Sequence, residues 1–166
     1  MTTPLLMLLF LMVPYIVIRI CAALTRRDID GRGAAALGLG LLFLFTGSGH
    51  FLQTEPMPQM LPPWVPARRL LVYATGVLEC AIAVGFLVPQ ARHFTGWVAA
   101  GMLVVFLPAN IYAAIHHIPM GGHAWGPVYL LIRAPLQVLI VVWVYWFTIK
   151  QPPPALHAGV SQAPRR

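Results

Sequence analysis

Five apolar stretches, residues 4–24, 34–54, 70–89, 94–117 and 128–150, take up most of this chain. A hydrocarbon core needs about twenty residues of helix, and each stretch reaches that length. Only 9% of the 166 residues are charged, against about a quarter in soluble domains, and the mean hydropathy is +0.77. The reading is an all-α integral membrane protein with five spans in one domain, residues 1–150. The Pro-, Ala- and Gln-rich tail, 151–166, is expected to be a disordered cytoplasmic segment. The chain has no room for a large soluble catalytic domain.

The formal net charge of +7 suggests nucleic acid, but the distribution argues against it. The basic residues are scattered over span ends and loops and form no groove. They report topology instead. Arg26, Arg27 and Arg32 follow the first stretch, Arg92 follows the third, and Lys150, Arg165 and Arg166 follow the fifth. The opposite side has only Arg68 and Arg69, so positive-inside counting places the N-terminus outside and the C-terminus in the cytoplasm. The first stretch is expected to remain a span, because it lacks a basic n-region and a clear cleavage site. Cys21 and Cys80 lie at different depths and are expected to stay unpaired.

Glu79 is the only acid inside any of the five stretches. It lies about 15 Å from either end of its helix at the usual rise. There it must be protonated, paired or wet. Topology brings further polar residues to a similar depth. His50 lies one turn below the outer end of the second span, with Thr46 on the same face at i−4. The fourth span presents Asn110, with His117 two turns later, and the fifth carries Arg133 and Gln137 with Tyr129 a turn above. Arg133 is the only cation near Glu79's depth, so a Glu79–Arg133 pair extended through Asn110 or Gln137 is expected. The result is a polar pocket opening to the outer face. The bland alternative is a structural ion pair, with Asn110 satisfying backbone groups freed by Pro108.

Two outer loops depart from simple turns. Residues 55–66 contain five prolines, including Pro62 and Pro63, with Trp64 beside them. Such a segment cannot form a regular helix, and its apolar residues favour a lipid interface, so it reads as a lid. The second loop carries His116, His117 and His123, which are expected to be solvated rather than to bind metal, since no carboxylate or thiolate accompanies them. No metal site and no intrinsic cofactor site is expected.

The run Thr46-Gly47-Ser48-Gly49-His50-Phe51, followed by Met60-Leu61-Pro62-Pro63-Trp64-Val65-Pro66, resembles the DoxX-like small membrane proteins of bacteria. So do Tyr73-Ala74-Thr75-Gly76-Val77-Leu78-Glu79 and Phe106-Leu107-Pro108-Ala109-Asn110-Ile111-Tyr112, and Arg133-Ala134-Pro135-Leu136-Gln137 with the aromatic run after it. The resemblance covers about residues 35–149. It implies a four-helix bundle of DoxX type, to which residues 4–24 add a helix, in a bacterial inner membrane. It carries His50, Glu79, Asn110, Arg133 and Gln137 over as the pocket positions.

The family takes its name from a membrane subunit of quinone-linked sulfur-compound oxidation. The resemblance therefore implies a membrane subunit of a redox-linked system that binds quinone or another small amphipathic ligand. The implied partners are the lipid bilayer and an oxidoreductase subunit or a second copy of the chain. A non-catalytic assembly or scaffold protein is the alternative, since distant relatives resemble assembly factors. A transporter fits less well, because the chain is short and shows no internal repeat.

Overall fold

Helix boundaries follow local chemistry. Asp30 opens the second helix by accepting hydrogen bonds from the backbone N–H groups of Arg32 and Gly33 at 3.0 and 3.3 Å, which satisfies two otherwise free donors. The structure, a computed structural model, describes residues 2–27 and 29–150. They form α1 (Thr2–Thr25), α2 (Gly31–Leu52), α3 (Arg68–Leu87), α4 (Arg92–Ile115) and α5 (Leu130–Val144), with no strand among the described residues. Short 3-10 helices, Met57–Met60 and His123–Tyr129, occupy the α2–α3 and α4–α5 connections, and a π-helical turn, Tyr145–Ile149, extends α5. Among the described residues, five helical segments are long and apolar enough to cross a membrane, as the sequence predicts. The tail 151–166 lies outside the described residues.

One boundary differs from the sequence reading. α4 ends at Ile115, so His117 is not on its polar face. Its backbone turns left-handed at φ 52°, and its ring occupies the space beside Gly126, where a Cβ would collide with it. The 3-10 segment from His123 is kinked at Gly126 (φ 73°, ψ −155°), so the unbroken helical run into α5 starts beside residue 128, where the sequence reading puts the fifth span.

α2 is the central helix. Half of its apolar window is buried, against 17% for α1, which lies at the periphery and packs mainly on α2. α3 packs chiefly against α2, while α5 packs on α4 and on the 3-10 turn before it. Leu39, Phe43, Phe86, Leu103, Ile140 and Val144 fill the core among these helices.

The α2–α3 crossing is close because each helix offers a glycine to the other. A Cβ at Gly76 on α3 would lie 2.6 Å from the His50 Cβ, and one at Gly47 on α2 would lie 3.1 Å from the Glu79 Cβ. Small residues allow such backbone approach between membrane helices. Here the same two contacts seat His50 and Glu79 side by side.

Candidate ligand-binding site

His50 is held from two sides. Its Nδ1 lies 2.9 Å from the Val72 carbonyl oxygen across the α2–α3 crossing. A carbonyl only accepts, so Nδ1 carries a hydrogen and Nε2 is left to face inward. The Thr75 hydroxyl, 3.2 Å from Nδ1, itself donates to the α3 backbone at Leu71 or Val72. Nε2 then stands 3.7 Å from Glu79 Oε1, with both side chains buried. At that separation the two groups face each other without a direct hydrogen bond.

No ion pair within 4 Å joins Glu79 to Arg133, in contrast to the sequence expectation. α3 and α5 stand on different sides of the site, and a cavity separates the two side chains. Arg133 Nε instead donates to Asn110 Oδ1 at 3.4 Å, and Nη1 approaches Met7 Sδ at 3.5 Å. Asn110 in turn donates from Nδ2 to the Phe106 carbonyl at 3.0 Å within its own helix. It therefore bridges α4 to Arg133. Val104, not Phe106, is the residue whose carbonyl loses its donor at Pro108.

The cavity has a volume of about 420 Å³, within the range of small-molecule sites. His50, Glu79, Asn110 and Arg133 all line it, together with Thr46, Thr75, Tyr129 and His123. Most of its wall is apolar, including Leu42, Phe43, Leu103 and Phe106. Two lining residues, Leu52 and Val105, are 81% and 71% exposed, so the cavity communicates with the apolar flank of the bundle. The site thus has two poles. The His50–Glu79 pair on α2 and α3 is one, and Arg133 with Asn110 on α5 and α4 is the other.

Gln137 is not part of the cavity wall. It is buried, and its Nε2 donates to the Leu103 carbonyl on α4 at 2.5 Å. Its role is to tie α5 to α4. Pro62, Pro63 and Trp64 do not line the cavity either, and Trp64 is 81% exposed. The part of the Pro-rich segment that covers the mouth is Met57, Met60 and Leu61. The prolines explain this, since they confine helix to one 3-10 turn, whose i and i+3 side chains, Met57 and Met60, project from the same edge.

Three contributors escaped the sequence reading. His123 is 4% exposed rather than solvated, held by Nδ1 at 2.7 Å from the Met120 carbonyl oxygen and by edge-on packing against Tyr129. The Gly121-Gly122 turn before it, with both residues at positive φ, was the available signal. Thr3 and Met7 of α1 also line the cavity, and nothing in their sequence context marks them.

A family profile described as a domain of unknown function, DUF8561, matches residues 39–148, from the middle of α2 into the π-helical turn. The chain belongs to this family. The matched region contains every polar residue of the two poles and excludes α1. Comparison with curated proteins and with solved structures gives no match. Among the described residues no group of three or more His, Cys, Asp or Glu side chains is placed to hold a metal ion.

Proposed function

We propose that this DUF8561 protein is a DoxX-like membrane subunit of a redox-linked system, binding quinone or another small amphipathic molecule in the two-pole cavity. The observation that carries this reading is the combination of a 420 Å³ apolar cavity with paired polar groups on opposite walls. A scaffold whose polar cluster only fixes helix register would have no need of that space between the poles. The basic residues of the α1–α2 and α3–α4 connections, counted by the positive-inside rule, support an outer-half position for this end of the bundle.

A quinone fits the donor set. One of its oxygens would face the His50–Glu79 pair and the other the Arg133 guanidinium. When bound, a quinone supplies two-electron chemistry that the side chains lack, with a partner subunit as the source of electrons. The chain's own residues bind and orient. Glu79 Oε1 and His50 Nε2 hold a proton beside the head group, Arg133 and Asn110 fix its far oxygen, and the apolar wall keeps water from the ring.

The test is to purify the protein from its membrane and identify co-purifying small molecules by mass spectrometry, alongside Glu79→Gln. A quinone or related amphiphile retained by the native protein, and at least tenfold depleted in Glu79→Gln, is the expected result. Recovery of bulk lipid alone, with full function of Glu79→Gln in the host, would sink the proposal.

A further inference from the structure

We propose that the head group bound in this cavity is an anionic oxygen group, a carboxylate on an apolar tail, held by Arg133. The inference rests on the ligand-site reading above and, of the quinone and the other small amphipathic molecules admitted there, selects a charged amphiphile over the neutral quinone. Arginine stays charged in any protein environment, and a cation enclosed among membrane helices needs an anion or a full set of acceptors. Arg133 has neither. Its two contacts are neutral and long, 3.4 Å to an amide oxygen and 3.5 Å to a thioether, and a thioether is a weak acceptor. Nη2 has no protein partner among the described residues, yet it is not sealed in the interior, and Arg133 lines the cavity.

The groups facing Arg133 from every neighbouring element leave this demand unmet. α1 offers the Met7 sulfur, α4 offers Asn110, and the 3-10 turn offers Tyr129 and His123, none of them an anion. Glu79, the acid that lines the cavity among the described residues, lies within electrostatic range of Arg133 but makes no hydrogen bond or ion pair within 4 Å with it; its Oε1 is 3.7 Å from His50 Nε2 instead.

A carboxylate satisfies the geometry as well as the charge. The guanidinium fork presents parallel N–H donors that match two carboxylate oxygens, and Tyr129 and Asn110 stand beside it. The apolar wall and the opening on the lipid-facing flank accommodate the tail. Neutral heads such as an alcohol would leave the cation uncompensated.

The experiment uses the full chain in phosphatidylcholine nanodiscs, with partition into empty nanodiscs subtracted. Three ligands with the same ten-carbon tail are compared by calorimetric titration: decanoate, decanol and a decyl-substituted benzoquinone. Decanoate is expected to bind at least tenfold more tightly than the other two. Arg133→Gln is expected to abolish that preference, and Arg133→Lys, which keeps the charge but loses the fork, to retain part of it. Decanol or the benzoquinone binding as well as decanoate would overturn the inference while leaving the ligand site standing, as would an Arg133→Gln protein that keeps the preference. Failure of all three ligands to bind would overturn both. The comparison on the native chain needs no substitution, so a variant that fails to fold does not decide the outcome.

Discussion

Gly76 shows how a single missing methyl group positions chemistry. A Cβ at that position would lie 2.6 Å from the His50 Cβ and 3.1 Å from the Phe51 ring, and a Cβ cannot swing aside as a long side chain can. Gly76→Ala is expected to lower stability by about 1–2 kcal/mol, the cost of overpacking less the helix propensity gained. Gly101→Ala is the control, since nothing lies within 4 Å of its added methyl, and its thermal midpoint in detergent should match or exceed the parent's. Equal midpoints for the two variants would refute the close crossing as the device that seats His50 against Glu79.

The same residues show how far sequence carries. Glu79, His50, Asn110 and Arg133 were legible as one constellation, because burial of a charge in hydrocarbon forces it inward whatever the fold. The pairing among them was not legible. Depth along a helix follows from counting residues, but azimuth depends on crossing geometry, and the two close approaches, Gly47 to Glu79 and Gly76 to His50, give Glu79 to His50 rather than to Arg133.

At the level of elements, spacing on a helix was not enough to sort pocket residues from packing residues. Gln137 sits four residues after Arg133 and shares its side of α5, but one turn deeper the helices close and its amide meets the Leu103 carbonyl. Its Oε1 is buried without a partner, so the side chain brings one satisfied and one unsatisfied group. Gln137→Met is therefore expected to change stability by less than about 1 kcal/mol, since removing a buried unpaired acceptor offsets the lost bond. Ligand affinity, read by the same titration, should be unchanged. A tenfold loss of affinity would place Gln137 back among the binding residues.

The Pro-rich connection followed its composition in kind but not in register. Proline forbids a long helix, as expected, but which residues turn inward depends on where the 3-10 turn closes. Met57 and Met60 cover the mouth and Trp64 projects away. Nothing in the one-dimensional pattern distinguishes these two outcomes.

For the whole molecule, the five helices long and apolar enough to span, and their order, follow from hydropathy alone, and the positive-inside reading of the basic residues predicts a side for each connection. This yields a direct check in cells. With Cys21 and Cys80 replaced by alanine, His116→Cys should react with a membrane-impermeant maleimide added outside, and Arg27→Cys only after permeabilisation. The reverse pattern would invert the topology and place the cavity mouth on the cytoplasmic side.

α1 stands apart in this arrangement. It lies before the region that defines the family, and it is the least buried of the five spans, yet Thr3 and Met7 close one wall of the cavity and Met7 touches the guanidinium of Arg133. The two polar poles therefore lie inside the matched region, while part of the wall that bounds them lies outside it. A change in the leading helix would therefore reshape the cavity and remove a contact of Arg133 without touching any residue of the matched region.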